Sequence, residues 1–229
     1  MEFLEENTIR VYRTAEISPN ALEIGDRIKL GRGYTATCQE LTADGALFIL
    51  DSYFETPSAM NTAKTNKGGY MDSDLRMAFN ARALLGIFDD YRDLMTPFSN
   101  GDLLRLPCYG EIFGEEDAEL FTPDGGQQWP LMQDKRNRSA RVHGTKQSTW
   151  GWLQNKKEGS TTAFAVIGTH GHAGYFNEAT AMGGLRPVFK IAKVQEAAPK
   201  KKAASKKTAS KKADTEATLE ENEYDVTFD

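Results

Sequence analysis

No stretch of this chain approaches the ~20 consecutive apolar residues needed to cross a bilayer. Its first residues, MEFLEENTIR, are acidic where a secretory leader is basic and then apolar. These absences predict a chain that is cytoplasmic at synthesis and has no membrane partner. Cysteine is scarce, with Cys38 and Cys108 standing 70 residues apart in apolar runs. That spacing excludes a zinc-ligand pair or a redox CxxC and leaves buried, reduced thiols. Histidine is limited to His143, His170 and His172. No GxSxG, P-loop or HExxH motif and no paired catalytic carboxylates occur. Glu115, Glu116 and Asp117 lack the alternating ligand spacing of an EF-hand loop, and no metal or other cofactor is expected.

What is present suffices for one core: 229 residues, of which 39% are hydrophobic, favour a single globular domain. The formal net charge of −5 conceals a segregated tail, in which Pro199 to Lys212 holds seven lysines and no acid and Asp214 to Asp229 holds seven acids and no base. The body therefore keeps a mild negative balance, which argues against a general nucleic-acid binder. The tail has almost no large apolar residue before Leu219, and burial cannot offset roughly 1–2 kcal/mol of backbone entropy per residue. We read residues 1–195 as the folded domain and 196–229 as a disordered tail. Leu219, Tyr224, Val226 and Phe228 give its tip, 219–229, the look of a docking peptide.

Along the body, TIRVYRT could add an edge strand, and DRIKLG, GYTATCQEL and GALFILDSYF read as an antiparallel meander with a turn at Thr42–Gly45. Asp72, Ser73 and Asp74 form an N-cap signature before Leu75 and Phe79, and Leu84, Ile87, Phe88 and Tyr91 continue at helical spacing. One kinked helix or two short ones should end before Pro97. LLRLPC suits a buried strand, YGEIFG a turn, and Trp129 to Gly144 a long ordered loop of the kind that often carries function. Ala163 to Ile167 and LRPVFKI are the last strands, with a turn at His170-Gly171-His172 between them. Strands, then helices, then strands separated by long loops define an α+β domain.

The order of these features carries a resemblance. Ser73, Leu75, Arg76 and Asn80 are followed by an apolar run into Glu111-Ile112-Phe113-Gly114, then by Trp150, Trp152 and Leu153, and finally by Gly184-Leu185-Arg186-Pro187. From Arg27 to Ile191 this resembles a bacterial and prophage family of unknown function whose fold is similar to that of C-type lectins and formylglycine-generating enzymes. One departure is Trp150-Gly151-Trp152-Leu153-Gln154, where the family has adjacent tryptophans followed by Leu-Arg. The resemblance implies a C-type-lectin-like fold with paired N- and C-terminal strands, and long loops over one side of the sheet that display ligand contacts. It also implies a phage or prophage source, which is compatible with a place in the virion.

On this basis the expected function is non-enzymatic binding of a protein partner or surface ligand through loops 129–155 and 168–180. The candidate contacts are Trp129, Arg136, Arg138, Arg141, His143, His170, His172, Tyr175 and Asn177. Trp129, beside Pro130 in a loop, is the exposed aromatic, and Arg136, Arg138 and Arg141 are a basic cluster suited to an anion. The histidines are read as exposed turn residues, because an i, i+2 pair at a tight turn points to different sides. Trp150 and Trp152 are assigned to the core and Arg186 to an ion pair or a clamp on loop carbonyls. Two alternatives stay open: an enzyme related to formylglycine-generating enzymes, and a nucleic-acid-associated adaptor working through the lysine-rich tail, the less favoured partner class.

Overall fold

A computed structural model describes residues 18–82 and 86–193, all within a unit spanning Met1–Val194. The strand expected in TIRVYRT, the helical position of Leu84, and the tail with its tip lie outside the described residues. The chain is α+β, with antiparallel sheets and a few short helices. Among the described residues no helix is long and apolar enough to cross a membrane.

The meander forms as expected from its alternation of β-branched and apolar residues. Strands β1 (Arg27–Lys29), β2 (Thr35–Leu41) and β3 (Gly45–Leu50) pair in sequence. The last strand, β10 (Val188–Ala192), pairs with β3 on one side and with β4 (Met95–Thr96) on the other, giving the order β1-β2-β3-β10-β4. A small ladder joins β5 (Ala140–Arg141) to β6 (Ser148–Thr149). A second sheet is made of β7 (Gly151–Lys156), β8 (Ala163–Ile167) and β9 (Phe176–Glu178).

Every residue of β3 is buried, because both faces of the sheet are covered. Ala46, Phe48 and Leu50 join one apolar cluster with Phe79, Phe88, Trp152 and Phe189. Leu47 and Ile49, on the opposite pleat, join another with Tyr109, Phe113, Trp129 and Leu153. Full burial of a side chain such as Phe48 or Ile49 contributes about 1.5–3 kcal/mol. β8 divides in the same way, with Phe164 and Val166 in the first cluster and Ala165 and Ile167 in the second.

Helix α1 (Asp74–Arg82) starts where the cap residues predict. Ser73 Oγ accepts from Arg76 N at 3.1 Å and donates to Tyr70 O at 2.8 Å, and Leu75 and Phe79 are buried one turn apart. The second helical stretch is a 3-10 turn, Asp89–Leu94, that rests Tyr91 and Leu94 on the first cluster.

Three sequence expectations need correction. Trp129 to Gly144 is not one long loop but holds a 3-10 turn, Pro130–Gln133, a short helix, Lys135–Arg138, and β5. LLRLPC is not a strand. Arg105 makes a single antiparallel bridge to Val188, on the side of β10 that β4 pairs with at Lys190 and Ile191, and Pro107, lacking an N–H, ends any further ladder. YGEIFG is not a turn but helix α2 (Tyr109–Phe113), closed by Gly114 at φ 64°. Glu111 Oε2 accepts from the N–H of the cap residue Cys108 at 2.7 Å, the carboxylate half of a capping box.

Candidate functional site

A cleft of about 490 Å³ opens where the β1–β2 edge of the central sheet meets the segment 131–139. Its floor comes from Thr37, Gln39, Asp51 and Arg186, and its mouth from Glu23, Asp26 and Arg136. The approach to β1 is pinned beside β2 by backbone hydrogen bonds from Gly25 N to Cys38 O (2.9 Å) and from Cys38 N to Asp26 O (2.8 Å). A bulge places the floor glutamine. Cys38 pairs with Phe48 and Glu40 with Leu47, so Gln39 is the extra residue. Bulges re-aim side chains in this way: Gln39 enters the cleft, while Glu40 accepts the Trp129 indole N–H at 3.0 Å.

The polar groups of the floor are unequally satisfied. Asp51 accepts from Thr35 Oγ1 (2.6 Å) and Thr37 Oγ1 (2.5 Å) and pairs with Arg27 Nε at 2.8 Å. Gln39, only 2% exposed, donates from Nε2 to Thr37 O at 3.2 Å, but its buried Oε1 has no partner. Arg186, 5% exposed, donates from Nε to Leu50 O (2.5 Å) and from Nη1 to Asn137 O (3.0 Å) and Arg138 O (3.1 Å). Burial pushes its pKa below the ordinary guanidinium value. Asp51 attracts it, but among the described residues no carboxylate forms an ion pair with it and only Nε and Nη1 make hydrogen bonds.

A second cleft, of about 510 Å³, lies over α2 and the turn 122–128. Asp124 and Asn155 in its lining are engaged within the protein. Asp124 accepts from Gly126 N (2.7 Å), Gly110 N (3.0 Å) and Asn155 Nδ2 (2.7 Å), and Asn155 Oδ1 accepts from Tyr109 N at 2.7 Å. This arrangement braces a turn.

The expected contact residues do not form one surface. Trp129 is buried, not exposed; its ring packs in the second cluster with Met132, and the apolar Leu131 and Met132 that follow it were the missed signal. The arginine cluster divides. Arg138 is buried, donating to Met132 O (2.7 Å) and Glu116 Oε2 (2.8 Å) and lying over the Phe113 ring at 5.2 Å. Arg136 is exposed at the cleft mouth and is held by Asp134 at 2.7 Å, and Arg141 is exposed on β5. His143 is half-buried and stacks on Tyr34 at 3.7 Å. Its Nε2 lies 3.0 Å from Arg32 O and its Nδ1 3.3 Å from Ser52 Oγ, so Nε2 donates to the carbonyl and Nδ1 accepts from the hydroxyl.

His170, His172 and Tyr175 are exposed and Asn177 is half-buried in β9. Gly171, at φ 75°, brings the histidine turn so close to the 135–138 segment that a Cβ there would lie 2.4 Å from Lys135 O. The two expected loops therefore do meet at this point. Among the described residues no three His, Cys, Asp or Glu side chains gather as a metal-binding group. Trp152 is buried and donates to Ser58 O at 2.8 Å, and Trp150 packs edge-on against it at 4.9 Å.

Cys38 and Cys108 are free thiols. Burial pushes Cys38 up to about 12 and raises Cys108 as well, so both remain protonated at neutral pH and lack thiolate reactivity. Gln39, Asp26, Asp51 and Asn137 escaped the sequence reading. The one signal, for Gln39, is the alternation of Thr35, Thr37 and Gln39 with Ala36 and Cys38 in β2. No protein-family model, curated protein or solved structure matches this chain.

Proposed function

We propose that this chain is a non-enzymatic binding protein on a C-type-lectin-like scaffold, with the 490 Å³ cleft as its binding site. The insertion of the last strand β10 between β3 and β4 supports the scaffold reading, since it brings early and late strands together in the central sheet. The observation that carries the binding reading is the cleft floor, where a buried guanidinium that Asp51 attracts but does not pair with and a buried amide oxygen without a donor lie in one concavity. Buried polar groups in native proteins are nearly always paired, and a ligand supplies the missing partners. Arg136 and Asn137 bring part of the expected 129–155 segment to this ligand. The protonated thiols support a binding role over cysteine chemistry.

Titration of the isotopically labelled chain with a small-metabolite library tests this. Amide shifts should cluster at Asp26, Gln39, Asn137 and Ser139, and mass spectrometry should recover the ligand unchanged. A chemically converted ligand, or shifts confined to other surfaces, would overturn the reading. A phage or prophage source and a place in the virion belong to the same proposal and rest on the resemblance. Recovery from free cytosol but never from purified particles would remove the virion part.

A further inference from the structure

We propose that the cleft takes a small zwitterionic carboxylate, an amino acid whose carboxylate meets Arg186 and whose ammonium is held by Gln39 and the acidic mouth. This rests on the binding reading above and names its ligand class.

The floor sets the first requirement. Arg186 is a buried cation solvated by three backbone carbonyls, with Nη2 left over. Asp51 attracts this charge without pairing with it, and a carboxylate brought to Nη2 supplies a direct partner with a charge-assisted hydrogen bond.

Gln39 sets the second. Its amide has one end on Thr37 O and the other on nothing. Exchanging the amide nitrogen and oxygen would only move the deficit, since Thr37 O would then face an acceptor. The cleft therefore needs a donor beside the carboxylate. In the free chain Oε1 is covered, and rotation about the broad terminal torsion of glutamine turns it toward the cleft by exchanging the Nε2 bond to Thr37 O for a charge-assisted bond from the ammonium.

The charge layout sets the third. Glu23, Asp26 and Asp51 are matched in number by Arg27, Arg136 and Arg186, so the lining carries no formal net charge and favours a ligand with none. The charges are nevertheless graded: at the floor Asp51 is engaged by Arg27, Thr35 and Thr37, which leaves Arg186 as the floor charge without an ion pair, while Glu23 and Asp26 lie toward the mouth. A zwitterion entering carboxylate first is the matching polarity, whereas a simple anion would satisfy Arg186 and leave Gln39 unpaired. The cleft volume of about 490 Å³ lies in the range of small-ligand sites, and Ile24, Leu131 and Met132 offer an apolar wall to an aliphatic side chain.

The test uses the full chain and thermal-shift and calorimetric titration with each of the twenty free L-amino acids. The decarboxylated amine and the N-acetyl form of any amino acid that binds are run beside it, together with inorganic phosphate. At least one aliphatic amino acid should raise the melting temperature at millimolar concentration, while its amine and its N-acetyl form should not. Gln39→Leu should weaken binding by about tenfold or more, the worth of one hydrogen bond to a charged group, and leave the free chain no less stable. Equal binding of phosphate or of the N-acetyl form would overturn the proposal, as would undiminished binding by Gln39→Leu. Should that variant fail to fold, the analogue comparison on the unaltered chain still decides. Cleft binding by neutral or cationic library compounds without response to any amino acid would sink the ligand class and leave the binding reading standing.

Discussion

Arg105 and Glu111 form a two-pronged ion pair in the interior: Nη1 donates to Oε2 at 2.7 Å, and Nη2 meets Oε1. The side chains are 14% and 10% exposed, and the guanidinium also lies over the Phe98 ring at 4.7 Å. The pair ties α2 to the segment that bridges to β10. Glu111→Gln leaves a buried guanidinium uncompensated and should cost about 3–5 kcal/mol, read as a lower urea midpoint. The double variant Arg105→Met, Glu111→Leu should be less damaged than Glu111→Gln, because no charge is left stranded.

Tyr53 is trapped between two glycines. A Cβ on Gly151 would sit 2.3 Å from its Cε1, and one on Gly184 would sit 2.7 Å from its Cγ. Tyr53 has no exposure through which to move away. Gly151→Ala should therefore destabilise by about 1–3 kcal/mol through overpacking. Combined with Tyr53→Leu, the two costs should fall short of their sum, as measured by chemical denaturation.

Stability should decline at alkaline pH. Burial raises Cys38 from 9.0 to about 12, and Tyr53 and Tyr109 from 10.0 to about 12. The folded state thus holds these protons more tightly than the unfolded state. Its advantage is complete below the unfolded values and is lost as pH rises from 9.0 toward about 12. Melting temperature followed across that window should fall, and because Cys108 is raised from the same 9.0, only the double variant Cys38→Ala, Cys108→Ala should delay the onset from near 9.0 to near 10.0.

Asn80 holds two backbone amides. Its Oδ1 accepts from Leu103 N at 2.9 Å and Leu104 N at 3.1 Å, while Nδ2 donates to Leu104 O at 3.1 Å. Leu104 is fully buried, so water cannot replace the lost acceptor. Asn80→Ala should cost about 1–3 kcal/mol and speed hydrogen exchange at both leucines. Asn80→Asp keeps the acceptor and should protect those amides more than alanine does.

The motifs that were legible in the sequence are braces of the fold. Ser73 caps α1, Arg76 grips Asp102 at 2.6 Å, Asn80 holds the 103–104 backbone, and Arg186 ties Leu50 to residues 137 and 138. Periodicity located β2, β3, β8, β10 and α1 because each buries an apolar face. It could not place α2, whose five residues are all buried and so show no amphipathic contrast. Trp129 is buried although Gly126 and Pro130 signal a loop, and only the apolar Leu131 and Met132 after it signal burial. The cleft was illegible because its residues come from β1, β2, the end of β3, the 131–139 segment and residue 186. A bulge detected only from strand register aims the glutamine at its floor.

The insertion of β10 between β3 and β4 also bears on synthesis. β3 emerges early, yet the neighbour that covers its second edge is the last strand of the sheet. At ~5–20 residues per second, translation of the intervening chain occupies on the order of ten seconds. Throughout that interval Gly45–Leu50 carries apolar side chains on both faces beside an unpaired strand edge, the condition under which nascent chains join one another. The yield of folded protein should thus depend on what shields this strand at the ribosome, before any property of the finished domain comes into play.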